Sequence, residues 1–346
     1  MGVAETQSSP AVSRDWAIGG LSSGMFSSLF AGLAAVDKSV LKASVYSLHL
    51  GFLWEDLRYL WQILREGPLS WVILATLVFC LALEYFFGRR RPKLVARTFF
   101  FNYGILVLNT VLLGGLVNFL YRWINQFYLI WLPLTHLRVL ADKPFLVQVV
   151  TGLLVTDFAI FFSHWVRHKV APLWHIHSIH HSETAINPAT LFRQHPLDPV
   201  ASAVIAYLPL ALLGGSIWAG TLLVVFGTAW GMYAHSDLPM TWGPLKYILV
   251  TPAYHRIHHS IEGRHWDKNF GHMFTFWDWL FGTACFDVED SFELGLQNFP
   301  VKQQSRNTMW TIFAGWCRLT WYPFQAVSQL VSRGRFGQRL GDPRRD

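Results

Sequence analysis

The sequence predicts an all-α fold: an integral membrane helical bundle of about four spans plus interfacial helices, with a helical cap on the cytosolic side. Three observations predict it. The 346 residues are 52% hydrophobic and 14% charged, against about a quarter charged in an ordinary soluble domain. Several apolar runs approach the roughly 20 residues that cross a hydrocarbon core. Most of the 15 histidines fall in three short blocks beside those runs.

Taken in order, residues 1–69 read as a polar tail followed by interfacial or re-entrant helices. The uncharged but Gly- and Ser-rich stretch 16–36 is a poor span. Residues 70–290 read as one membrane and histidine-box unit, and 291–346 as an amphipathic helix with a basic tail. Within the central unit, Ser70–Phe87, Asn102–Leu120 and Phe145–Phe162 are span candidates, broken only by Glu84 and Asp157. Val200–Ala234 has no Asp, Glu, Lys or Arg, and Gly214-Gly215-Ser216 interrupts it, which predicts a helical hairpin. Met309–Val331, with Arg318 its only charge, is expected to lie along the membrane surface.

Charge supplies the orientation. The cluster Arg89-Arg90-Arg91-Pro92-Lys93 favours the cytoplasm. The chain then crosses outward and back, so His164 emerges on the cytoplasmic side, and a hairpin at 200–234 returns His235 to the same side. The net charge of +7 suits anionic lipid headgroups. The basic residues form no stripe interleaved with aromatics, which argues against nucleic acid. Cys80, Cys285 and Cys317 are too few and too far apart for a disulfide framework or a cysteine metal site.

The blocks are His164-x-x-x-His168, His177-x-x-His180-His181 and His255-x-x-His258-His259. Neutral imidazole is the commonest protein ligand for transition metals. Residues three and four apart share a helix face, so each block is expected to aim its imidazoles at one point. Eight imidazoles exceed one tetrahedral ion and suit a pair of metals, with His235 a ninth ligand. Asp157 is placed to accept a hydrogen bond from a ligand imidazole or to make a contact between helices. His195 and His272 are candidates for holding a ligand or facing a substrate. His175 has the wrong phase for its block, and His49, His136 and His265 read as ordinary polar residues. There is no HExxH zinc-peptidase motif, and the ferritin-like dimetal pattern, which needs a Glu and a Glu-x-x-His motif twice over, is also absent. So histidine-rich a site suits oxygen activation at two irons, although zinc also accepts imidazole.

At these residues the chain resembles the fatty acid hydroxylase/sterol desaturase superfamily of integral membrane enzymes. The resemblance covers about Asp157–Phe286, through His177-Ser-Ile-His-His-Ser182, Arg193-Gln-His-Pro-Leu197, Thr251-Pro-Ala-Tyr-His-Arg-Ile-His-His-Ser260, Asn269-Phe-Gly271 and Trp277-Asp-Trp-Leu-Phe-Gly-Thr283. It implies a four-helix-type membrane domain with a cytosolic cap. It also implies a di-iron site that uses O2 and two electrons to attack an unactivated C–H bond. The implied ligands are His164, His168, His177, His180, His181, His235, His255, His258 and His259. Arg193, Asn269 and Asp278, inside the matching motifs, join Asp157, His195 and His272 as supporting or substrate-side candidates. Asp237 stands where the family often has Asn, and Leu238-Pro239-Met240 lacks a histidine that some members carry.

The expected activity is hydroxylation of a lipid or lipid-like substrate. Desaturation by the same site is the alternative; a metal transporter or zinc-dependent membrane hydrolase is the reading from another class. A transporter predicts ionisable residues along several spans, whereas these spans hold little beyond Glu84 and Asp157. No haem-carrier, flavin or cysteine-cluster motif is present, so electrons are expected from a separate reductase chain. The expected location is a multi-pass position in a bacterial inner membrane or the endoplasmic reticulum, with the site facing the cytoplasm.

Overall fold

A computed structural model of the chain describes residues 68–89, 92–131, 139–214, 217–286, 292–297, 299 and 308–332. The expectations for residues 1–36, His49, His136 and the basic C-terminal tail lie outside these. Among the described residues the structure is helical, with two isolated β-bridges, Leu249 with Phe274 and Ser260 with Leu294.

The longer helices are α1 (Pro68–Phe87), α2 (Pro92–Leu108), α3 (Gly114–Trp131), α4 (Phe145–Lys169), α5 (Ala171–His181), α6 (Leu197–Leu213) and α7 (Ile217–Ala234). Two short helices, α8 (Pro252–His258) and α9 (Phe276–Leu280), precede α10 (Met309–Ser332). α2 and α3 run into one another through a wider π turn at Asn109–Leu113. The stretch Ala96–Tyr121 and helix α4 are each long and apolar enough to cross a membrane.

α4 packs against α6, α7 and α5, α1 lies against α7, and α3 against α6. The chain reverses between α6 and α7, with Gly214 at φ +57°, a left-handed conformation that glycine adopts without a Cβ clash. The carbonyl of Leu213, at the end of α6, accepts a hydrogen bond from Leu140 N–H (2.7 Å), so part of that helix end is satisfied within the protein.

α10, expected along the membrane surface, packs on α2 and α5. A Cβ on Gly104 would lie 2.5 Å from Ile312 Cγ2, and one on Gly315 would lie 2.8 Å from the Phe101 ring. Each helix thus offers a glycine to the other's side chain, the small-residue device that lets apolar helices approach closely. Phe101, Ile105, Ile179, Leu319, Tyr322 and Ala326 form the core there. This packing supports α5, which carries the second histidine block.

Candidate metal centre

α4 runs on to Lys169, beyond the apolar run that ends at Phe162, and places His164 and His168 one turn apart in its last two turns. α5 begins with Pro172 in its first turn, where the missing proline N–H costs no helical bond, and carries His177, His180 and His181. α8 is started by the Thr251 side chain, which accepts from Tyr254 N–H, and delivers His255, His258 and the adjoining His259. His235 follows α7 directly.

The nine imidazoles form two buried groups. One comprises His164, His168, His177, His181 and His258; the other His180, His235, His255 and His259. Neither group includes a carboxylate. They adjoin: the His181 and His259 rings stack with centroids 4.6 Å apart. The expectation that each block converges on one point is therefore corrected. In each HxxHH block the i and i+4 histidines join one group and the i+3 histidine joins the other. Successive helical residues turn about 100°, and i+3 and i+4 therefore diverge by that angle. Two such blocks facing each other divide their imidazoles reciprocally between the two groups.

The ring orientations are fixed from behind. His164 Nδ1–H donates to Phe270 O (3.0 Å), His258 Nδ1–H to Lys268 O (2.7 Å) and His235 Nδ1–H to Gly231 O (2.7 Å). These bonds leave each Nε2 with its lone pair facing the group. His164 Nε2 and His258 Nε2 are nevertheless 2.9 Å apart. Two lone pairs cannot hydrogen-bond, so the contact fits a cation between them. Protonation is disfavoured. Burial holds His258 down to about 3 and His235 down to about 4, against backbone acceptors that raise them. Burial and neighbouring imidazoles hold His180, His181, His255 and His259 well below the ordinary value. Other Nε2 pairs, His168 with His181 and His180 with His235, are 3.0 Å apart. A metal–nitrogen bond of roughly 2.1 Å sets right-angled ligands roughly 3.0 Å apart. Buried neutral imidazoles at this spacing could hold a metal ion.

The carboxylate that accepts a hydrogen bond from a clustered imidazole is Asp198, not Asp157. His177 Nδ1–H donates to Asp198 Oδ2 (3.0 Å), and Arg167 pairs with Oδ1 at 3.0 Å, both carboxylate and guanidinium buried. Sequence reasoning missed both residues, although Arg167 lies on the ligand helix and Asp198 directly follows the Arg193–Leu197 motif. Asp157 makes a contact between elements instead, mainly from α4 to a loop. It accepts from Met273 N–H (2.8 Å), Phe274 N–H (3.1 Å) and Trp277 Nε1–H (2.9 Å), and pins the loop after the third block onto α4.

The other candidates hold the frame. Asp278 accepts from Phe270 N–H, Gly271 N–H, Thr283 Oγ1 and Tyr254 OH, fixing the Phe270 carbonyl that orients His164. Burial pushes its carboxyl up, against those four donors. Asn269, at φ +59°, bridges to Tyr254 O and to both backbone groups of Cys285. Arg193, fully buried, donates to Ile179 O, Ser182 Oγ and Asn102 Oδ1, clamping the end of α5. Asp237 pairs with Arg256 at 2.7 Å and donates its N–H to Glu84 Oε1, so an arginine offsets the charge it brings.

His195 sits apart from the groups: it accepts from Leu197 N–H and donates from Nε2 to Thr320 O, tying α6 to α10. His272 donates to Gly227 O on α7. His175 belongs to neither group and lies 3.4 Å from Tyr322 OH. His265, read as an ordinary polar residue, is buried against Phe292.

Residues 149–283 match the family model described as fatty acid hydroxylase. The chain is 32% identical over 144 residues to ornithine lipid hydroxylase OlsE of Rhizobium tropici, covering 40% of this chain and 42% of that protein. It is 31% identical over 209 residues to alkylglycerol monooxygenase of Homo sapiens, covering 57% and 43%. It is 28% identical over 142 residues to Delta(7)-sterol-C5(6)-desaturase of Nicotiana tabacum, covering 40% and 49%. The chain thus spans less than half the length of each of these relatives. No solved structure gives a significant match. The matched segment carries all nine clustered histidines and the loops that orient them, and over residues 149–283 the chain is similar to the fatty acid hydroxylase family.

Proposed function

We propose that the chain is a membrane-bound, oxygen-dependent di-iron oxidase that hydroxylates a C–H bond of a lipid or lipid-like substrate. The observation that carries this reading is the convergence of nine buried, neutral imidazoles into two adjoining groups without a carboxylate. One group would hold one iron through His164, His168, His177, His181 and His258, the other the second through His180, His235, His255 and His259. Two irons held there would supply activation of O2, so that with two electrons and two protons one oxygen atom would enter the C–H bond and the other leave as water. Asp198, Phe270 O, Lys268 O and Gly231 O keep the ring nitrogens aimed inward. The buried Phe270 ring, 5.0 Å from His168 and 5.5 Å from His164 and His258, shields the five-histidine group from water.

In this reading α1, the α2–α3 stretch, α4 and the α6–α7 hairpin are the membrane part, and α5, α8 and the loops to Phe286 form the cytosolic cap. Electrons come from a separate reductase chain. Desaturation of a lipid or sterol-like substrate by the same site is the second reading, favoured by the likeness to a sterol desaturase. A zinc hydrolase needs a general-base carboxylate at the metal, and neither histidine group includes one.

The test is expression with iron in a lipid-replete host beside a His180→Ala/His258→Ala variant, with lipid extracts compared by high-resolution mass spectrometry under oxygen. A lipid gaining one oxygen atom only with the intact protein supports hydroxylation. Loss of two hydrogens makes the protein a desaturase. A purified protein that holds zinc tightly and cannot be loaded with iron rejects the oxidase reading.

A further inference from the structure

Behind the third histidine block, the cap descends along α4. Three donors from Met273, Phe274 and Trp277 converge on Asp157, and the Phe281 ring lies 5.2 Å from Phe161 and 6.2 Å from Phe158. Asp157 stands seven residues before His164, about 10 Å along the helix axis. Counted from Phe145, about 20 residues of helix cover a hydrocarbon core. That sets His164 near the core's edge and the Asp157 level inside it. Residues 273–281 therefore lie deeper than the imidazoles they follow.

Their outward side chains suit that depth. Trp279, Leu280 and Phe281 are exposed, Leu280 at 72%. Beside them, held by Thr275 N–H to Ile248 O (3.0 Å) and Val250 N–H to Met273 O (2.8 Å), the segment 242–248 exposes Trp242, Leu245 and Ile248. In the same segment Lys246 lies over the Tyr247 ring. Aromatic rings beside a lysine are the composition of a membrane–water interface. The patch continues onto the exposed apolar face of α4, which includes Leu154 and Phe162.

We propose that residues 242–248 and 273–281 form a membrane-dipping lip, whose occupant is the bilayer itself and which seats the cap, and with it the metal centre, in the lipid leaflet. This rests on the reading of α4 as a membrane span. The loop joining the lip to the third histidine block also supplies Lys268 O and Phe270 O to His258 and His164, so the seat of the lip bears on the ligands' orientation.

The test places a nitroxide, one at a time, at Leu280→Cys, Leu245→Cys, Leu154→Cys and Arg264→Cys in the full chain, with Cys285 and Cys317 replaced by serine. The protein is reconstituted in vesicles of phosphatidylcholine and phosphatidylglycerol. Power saturation is then compared with oxygen and with a water-soluble nickel chelate. Leu280 and Leu245 are expected to follow Leu154, relaxed by oxygen severalfold more than by nickel, with the reverse at the exposed cap position Arg264. If Leu280 follows Arg264 while Leu154 remains in lipid, the lip is rejected and the span stands. If Leu154 also follows Arg264, the span reading itself fails. Shielding of Leu280 from both reagents, with dipolar coupling between two labels, makes the patch a contact between two copies and overturns the proposal.

Discussion

Asp198 Oδ2 accepts the Nδ1–H of His177 at 3.0 Å, while its other oxygen pairs with Arg167. All three side chains are buried, so the carboxylate both orients an imidazole of the five-histidine group and balances a buried guanidinium. Removing one partner of a buried pair leaves the other charge uncompensated.

Asp198→Ala is expected to weaken metal binding by the five-histidine group roughly 10–100-fold, the usual cost of losing a carboxylate behind a ligand histidine. It should also lower the melting temperature in detergent. Asp198→Asn, similar in shape but uncharged, should retain more stability than alanine and still lose affinity. Metal-to-protein ratios after titration with a competing chelator measure the effect. Unchanged affinity in both variants rejects the role given to Asp198.

Asp157→Ala is expected to destabilise the protein more than it weakens metal binding. It leaves two backbone N–H groups and the Trp277 indole N–H without their acceptor. Each buried orphan costs about 1–3 kcal/mol. Limited proteolysis of the 273–281 segment in detergent, compared between wild type and variant, reads the release.

Glu84 belongs to α1, outside the residues matched by the family model, yet its Oε1 accepts the Asp237 N–H at 2.6 Å, two residues from His235. Glu84→Gln retains an acceptor there and Glu84→Ala does not. The alanine variant should lose metal from the four-histidine group, while glutamine keeps most of it. Equal metal content in the two variants would remove Glu84 from the support of His235.

Acid should destabilise the metal-free protein. His235 and His258 titrate at about 4 and about 3 in the folded chain, because they are buried, against about 6.5 unfolded. Between those values the unfolded chain binds more protons, so stability rises with pH through that window. It is level above about 6.5 and lost as pH falls towards the folded values. Melting curves of chelator-treated protein from pH 8 to pH 4 should show this onset near 6.5. Bound metal should hold stability to lower pH, because protons and metal compete for the same nitrogens.

Much of this protein is legible in its sequence. Apolar runs marked α1, the start of α4 and the α6–α7 pair, and Gly214 the reversal between the last two, because backbone conformation is a local property; the expected run Asn102–Leu120 fell short of the α2–α3 stretch, which runs from Pro92 to Trp131. The histidine spacing predicted the clusters for the same reason: i, i+3 and i+4 positions are set by one helix's own geometry. That geometry could not say which group each ring joins. The choice depends on how α5 and α8 face each other, and it split both HxxHH blocks. Nor did spacing point to Asp198, which the sequence reading passed over in favour of Asp157. Contacts across long sequence separations decided that Asp198 meets His177 and that Asp157 meets the Met273–Trp277 loop. His195 was a fair candidate by residue type, and only packing showed it bonded between α6 and α10. The sequence by itself determined the elements and the donor chemistry. The tertiary structure decided the partition of ligands and the identity of their supports, because hydrogen bonds between distant segments exist only once the helices have packed.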